Sequence, residues 1–150
     1  MATPGLIIRP FAPTDQDAAR WLILEGLGGH FGFIDETMNT DLDDIALTFS
    51  DGVFLVAEID GVIVGTGGLM VRDDGRCQIV RMSTRPAHRR QGVASALLSQ
   101  LIALANERRV PSVFLATDLD WSDAVGLYVS AGFHELGRNE SGILFGLDLD

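Results

Sequence analysis

Residues 85–98, RPAHRRQGVASALL, place Arg85, His88, Arg89 and Arg90 directly before Gly92 and an apolar helical pattern. A helix start offers unpaired backbone N–H groups and the positive end of the helix macrodipole, which together suit phosphate. Gly92 permits close backbone approach, small Ala94 leaves the groove open, and the arginines add charge around it. This combination points to a ligand of diphosphate size. All eleven basic residues are arginine, and seven of them fall between positions 76 and 109, where Glu107 is the only acid. That segment carries +6 in a chain of net charge -10, so the remainder carries -16. A small anion is attracted to one region, while nucleic acid is disfavoured as a partner. The absence of lysine excludes a Walker A phosphate loop, Schiff-base chemistry and a lysine general base.

The elements that position this loop follow from periodicity. Leu6–Arg9 is expected as a first strand. Thr14, with Asp17 three residues later, suggests a capping-box start to a helix carrying Ala18, Trp21, Leu22 and Glu25 and ending near Gly26. A weaker helix is expected within residues 41–49. Residues 53–59 and 62–71 alternate as strands around Asp60 and Gly61, a two-residue hairpin turn. A second turn at residues 73–75 leads into a strand over 76–84. Residues 91–108 carry apolar side chains at 94, 97, 98, 101, 102 and 105, an amphipathic helix. A strand over 112–117, a helix over 122–131 closed by Gly132, and a hairpin of 133–138 with 142–149 complete the chain. The expected fold class is α/β, a mixed and mostly antiparallel sheet of about seven strands flanked by about four helices. Residues 1–150 are expected to form one domain, and the step from strand 76–84 through the long helix to strand 112–117 a right-handed parallel crossover.

Arg89, Arg90, Gln91, Gly92, Val93 and Ala94 together resemble the Gln/Arg-x-x-Gly-x-Gly/Ala signature of the GNAT superfamily of N-acetyltransferases, and the order of elements agrees over nearly the whole chain. The resemblance implies the GNAT fold and acetyl-CoA as co-substrate. It assigns the pyrophosphate to Arg89, Arg90, Gln91, Gly92, Val93, Ala94 and Ser95, and the pantetheine arm to Met82, Ser83 and Thr84. A second motif, Ala124 to Phe133, resembles the superfamily's Asn-x-x-Ala-x-x-x-Tyr-x-x-x-Gly-Phe. It makes Tyr128, the only tyrosine of the chain, the catalytic acid that protonates the leaving thiolate; an unperturbed phenol, pKa about 10, is protonated at neutral pH. The alternative use of Tyr128 is to seal the helix against the sheet. The motif's asparagine falls at Trp121, so its polar contact is lost or passes to Ser122 or Asp123.

Many relatives place a glutamate general base eleven residues before the signature, where this chain has Gln78, which accepts no proton at neutral pH. Glu58, Asp73, Asp118 and Asp120 are the remaining acids at or near strand ends. A strand N–H would polarise the thioester carbonyl. By resemblance, the acceptor wall is the stretch between the first two helices. Its Asp35, Glu36, Asp41, Asp43 and Asp44 would concentrate a cationic amine, and His30 and Phe31 could line the pocket. Residues 65–68 imitate a dinucleotide loop but sit in a strand, where close packing or a bulge explains them better. Separated histidines argue against a metal, and Cys77 is expected to be buried. The leading expectation is acetyl transfer from acetyl-CoA to a primary amine of a small cationic molecule, with a protein N-terminus or lysine side chain as other acceptors. A catalytically inactive acyl-CoA-binding module is the alternative. No leader or membrane-spanning pattern is visible, so a cytoplasmic protein without a membrane partner is expected; oligomeric state is not readable from the chain, and the resemblance allows a homodimer because relatives often dimerise.

Overall fold

The structure, a computed structural model, describes residues 5–31, 38–118 and 122–149. The chain runs β1 (Leu6–Pro10), α1 (Gln16–Phe31), α2 (Ile45–Thr48), β2 (Val53–Ile59), β3 (Val62–Val71), β4 (Cys77–Thr84), α3 (Val93–Glu107), β5 (Ser112–Thr117), α4 (Ser122–Ser130), β6 (His134–Asn139) and β7 (Gly142–Asp148). One sheet has the order β1-β2-β3-β4-β5-β7-β6. Every pairing is antiparallel except β4 with β5, as the crossover requires.

Alternation along the strands divides two cores. Leu55 and Ala57 join Val93, Leu97, Leu98 and Leu101 of α3 on one face, while Phe54 and Val56 join Ala19, Ile23, Leu42 and Ile45 on the other. This is the period-2 pattern of a strand buried on both sides. The β2–β3 hairpin turns where expected, with φ of 52° at Asp60 and 81° at Gly61, the two left-handed positions of its tight turn. Among the described residues no helix is long and apolar enough to cross a membrane.

The first helix departs from expectation at both ends. Thr14 lies inside a 3-10 turn, Pro13–Asp15, rather than capping α1. Asp15 secures that turn: its carboxylate accepts from Ala12 N–H, the turn's own N-cap, at 2.8 Å and from Arg9 at 2.7 and 2.9 Å. Arg9 also reaches Glu58 at 3.2 Å. The buried stripe is Ala19, Leu22 and Ile23, leaving Trp21 47% exposed, and the helix continues past Gly26 to Phe31. The glycine is tolerated because α1 lies so close to β4 that a Cβ on Gly26 would stand 3.2 Å from Ser83 Oγ.

The Arg9 guanidinium holds the Asp15 carboxyl below the ordinary carboxylate range, against the opposing effect of burial. The unfolded chain therefore takes up this proton first as pH falls. The pair's contribution is full above about pH 4 and is lost as pH drops through the lowered folded-state value. Asp15→Asn is expected to cost about 2 kcal/mol at pH 7, with a smaller gap from the parent protein at pH 3. Urea unfolding at the two pH values checks this; an equal gap at both would remove the Arg9 carboxylate pairing as its cause.

Candidate functional site

The parallel strands β4 and β5 pair only at Cys77 with Val113 and Gln78 with Phe114. Beyond Gln78 they part, and the gap is a cleft of about 560 Å³. The separation coincides with a bulge in β4. Gly68 pairs with Val80 and Thr66 with Ser83, so Arg81 and Met82 together face the single residue Gly67. Arg81 takes up the extra length with φ of 56°, a left-handed conformation that costs a non-glycine residue roughly 1 kcal/mol. The fully buried Thr66 pins it, its hydroxyl donating to Arg81 C=O at 2.8 Å.

The bulge sets which backbone groups face the cleft. Arg85 N–H donates to Val64 C=O across β3 at 2.8 Å. By strand alternation, the main-chain groups of Thr84 and Met82 point the other way, into the gap left by β5. Residues 65–68 serve packing. A Cβ on Gly65 would stand 2.7 Å from Val93 Cγ1, and one on Gly67 2.7 Å from Met82 Sδ. Their bare backbones let the start of α3 and the bulged strand lie against β3.

At the far end of β4, a 3-10 turn over Pro86–His88 leads through two left-handed residues, Arg90 at 62° and Gly92 at 84°, into α3. Gly92 is the N-cap. The first helical hydrogen bond runs from Ala96 N–H to Gly92 C=O at 3.0 Å, so the N–H groups of Val93, Ala94 and Ser95 have no intrahelical partner. Arg89, Arg90, Gly92, Val93, Ala94 and Ser95 all line the cleft, as do Met82, Ser83 and Thr84. Gln91 does not: its Nε2 donates to Ala87 C=O at 3.3 Å across the loop.

Tyr128 lines the opposite wall from α4. Gly132, at φ of 100°, ends that helix, and Phe133 N–H returns to Tyr128 C=O at 3.0 Å. The return places the Phe133 ring edge-on to the tyrosine at 5.8 Å, with Phe145 at 6.1 Å on another side. The spacing of Tyr128, Gly132 and Phe133 is thus a helix-end device that fixes the phenol's orientation. Burial pushes the phenol up to about 12.

Other expectations fare differently. Gln78 does not line the cleft; its side-chain oxygen is buried without a hydrogen-bond partner. Glu58 is paired with Arg9 and Asp73 is exposed in the β3–β4 turn. Neither these nor Asp118 lines the cleft, whose only described carboxylate is Asp123. Asp41, Asp43 and Asp44 all have partners: Arg81, Arg20 at 3.9 Å, and Leu47 N–H at 3.1 Å. Asp35, Glu36, Asp120 and Trp121, and the side chains of His30, Phe31 and Ser122, lie outside the described residues. Cys77 is buried, and among the described residues no cluster of metal-ligating side chains forms.

The arginine cluster of the sequence also disperses. Arg76 stacks on Phe114, its guanidinium carbon 4.7 Å from the ring centre. Arg108 donates to carbonyls of Asp51 and Gly52, and Arg81 turns to Asp41. Arg89 and Arg90 remain on the cleft beside the start of α3. Arg90 approaches Asp123 at 3.9 Å with both side chains largely exposed, a weak pair in water. Sequence reading missed the α1 wall, formed by Ile23, Gly26 and Leu27. The signal was Gly26 itself, a helical glycine with a packing reason.

The fold that carries this cleft recurs in known proteins. Residues 18–133 match the model of the Acetyltransferase (GNAT) family. N-acetyltransferase 8 of Rattus norvegicus is 38% identical over 120 residues, covering 75% of this chain and 54% of the rat protein. The chain spans about half the length of the curated relatives it matches. Among solved structures, a GNAT-family acetyltransferase from Staphylococcus aureus Mu50 superposes with a TM-score of 0.87 at 22% identity, covering 97% of this chain and 99% of that one. The PaiA N-acetyltransferase of Thermoplasma acidophilum, solved with coenzyme A, gives 0.82 at 15% identity, covering 96% and 99%. The family match over most of the chain and the agreement of the whole sheet with these structures lead to one assignment: this chain belongs to the GNAT family of acetyltransferases.

Proposed function

We propose that the protein transfers the acetyl group of acetyl-CoA directly to a primary amine, that of a small cationic molecule. The observation carrying this reading is the continuity of the β4–β5 cleft, which joins free helix N–H groups at one end to Tyr128 on its wall. Each part has a matching task. The N–H groups of Val93, Ala94 and Ser95, with Arg89 and Arg90 around them, take the pyrophosphate. Main-chain groups of Met82 and Thr84 hold the pantetheine amides as a missing strand would, and a cleft-facing N–H of β4 polarises the thioester carbonyl. The amine nitrogen attacks the carbonyl carbon, the C–S bond breaks, and Tyr128 donates a hydrogen bond to the departing sulfur. Asp123, 78% exposed, is the only described carboxylate on the cleft; the proposed reaction takes an amine that has already lost its proton to water. Asp41 is neutralised by Arg81, while Asp43 and Asp44 keep their charge and add to the attraction of a cation by the net charge of -10.

The buried, proton-inert Gln78 favours a second reading, a catalytically silent acyl-CoA-binding module. Both readings require that acetyl-CoA bind the folded protein. At a hundredfold excess over Kd, a ligand of the native state adds about 3 kcal/mol, which for this length raises Tm by roughly 5–10 °C. Melting curves over a range of acetyl-CoA up to millimolar concentration check this, and an unmoved Tm would contradict both.

A further inference from the structure

Arg81 is the one arginine lining the cleft outside its anion-binding end. Along β4, Thr84 adjoins the loop that carries that end, and three residues of strand lead away from it to Arg81, about 10 Å. Arg81 therefore stands toward the part of the cleft that an acceptor must enter once a cofactor fills the rest. Its backbone is turned by the bulge, and its side chain crosses to the segment before α2. Nε donates to Asp41 Oδ2 at 2.9 Å, and Nη2 to Asp41 Oδ1 at 2.6 Å and to Asn39 Oδ1 at 3.1 Å. This is the planar two-bond geometry that arginine makes with a carboxylate and lysine does not.

The rest of that segment is secured separately. Thr48 hydroxyl donates to Asp41 C=O at 2.6 Å. Gln16 bonds Leu42 C=O and Ile45 N–H, while Leu42 and Ile45 are fully buried. Loss of the Arg81 bond therefore leaves the segment folded but frees its Asn39–Asp41 end, which Arg81 ties to the cleft-lining strand. Resting on the acetyltransferase reading above, we propose that the Arg81–Asp41 pair is a clasp that holds residues 39–41 against the bulged strand and thereby positions the acceptor amine. Arg81 is a positioning residue: it neither donates nor accepts the reaction's protons.

Three variants test it: Arg81→Gly, which removes the clasp and also relieves the positive φ, Asp41→Asn, and the conservative Arg81→Lys. In the full-length protein, hydrogen exchange at the amides of Thr40–Leu42 is expected to quicken at least tenfold in Arg81→Gly and Asp41→Asn, with β2 and β3 unchanged. In steady-state assays with the best amine, KM for that amine is expected to rise about tenfold in both, while the Kd of acetyl-CoA stays within twofold. Arg81→Lys should recover part of the loss only while Asp41 is present. Unchanged exchange would overturn the clasp. Quickened exchange with an unchanged amine KM, or a loss appearing in acetyl-CoA affinity instead, would overturn its role in acceptor positioning. If the parent protein turns over no amine, the acetyltransferase reading and the positioning role built on it both fail, and exchange alone still decides whether the clasp holds the segment.

Discussion

Gly92→Asp is expected to abolish acetyl-CoA binding, while the nearly isosteric Gly92→Asn keeps most of it. Gly92 sits at φ of 84° at the start of α3, a conformation that Asn and Asp tolerate better than other side-chain-bearing residues. The two variants therefore carry similar backbone strain and differ mainly in charge. A carboxylate about 4 Å from a diphosphate at an effective dielectric near 20 costs roughly 4 kcal/mol, close to a thousandfold in affinity. The same carboxylate would also satisfy the helix N–H groups that the phosphate needs, and so compete as an internal anion. Calorimetric titration with acetyl-CoA distinguishes the two. Equal affinities for the Asp and Asn variants would place the pyrophosphate elsewhere than on this loop.

Tyr128→Phe is expected to lower kcat by about 10- to 100-fold with acetyl-CoA affinity nearly unchanged, the loss of one hydrogen bond to a developing charge. Its ring remains packed against Phe133 and Phe145 in the variant, so folding is preserved. Burial that pushes the phenol up to about 12 sharpens its role. Full proton transfer to a thiolate of ordinary pKa about 8.5 is uphill by roughly 5 kcal/mol, so the role proposed for Tyr128 is a hydrogen bond held to sulfur, with the thiol's proton arriving from solvent. The pH dependence follows: kcat/KM should climb to a plateau set by the acceptor amine's own pKa, and no descending limb from Tyr128 should appear below about pH 11. A fall near pH 10 in the parent protein that Tyr128→Phe removes would show a phenol unperturbed by burial. The same raised value adds to fold stability, fully below about pH 10 and progressively less as pH rises toward 12.

How far the sequence led can be judged residue by residue. Strands β2 and β3 fall at their expected bounds because Asp60 and Gly61 mark the turn and alternation marks the faces. The form of the loop before α3 was legible because it is local: a turn, a glycine and a helix start in one short run. The start of α1 was misplaced because a 3-10 turn, closed by Asp15 on Ala12 N–H and held by Arg9 on a neighbouring strand, takes up Thr14, a tertiary contact that outweighs the local pattern. The bulge was hidden for a related reason. Nothing in CQIVRMST marks Arg81 as left-handed; the cause lies on the opposing strand, in Thr66 that pins it and Gly67 that makes room. Linear clustering of arginines likewise overstated their joint action, since Arg76, Arg81 and Arg108 leave for Phe114, Asp41 and two carbonyls near β2.

The acceptor side was least legible and holds most of the chemistry still open. Its acids looked like a cation trap in sequence, yet the described ones are engaged in an arginine clasp, a distant ion pair and a helix cap.

The central claim, acetyl transfer within the β4–β5 cleft, is tested most directly by following thiol release from acetyl-CoA against a panel of polyamines, amino sugars, free amino acids and peptides with free N-termini or lysines. The expected result is turnover with a cationic small amine well above the hydrolysis background, lost in Gly92→Asp and reduced in Tyr128→Phe. Thiol release that no amine accelerates would contradict it, and binding of acetyl-CoA without turnover would make the protein an acyl-CoA-binding module instead.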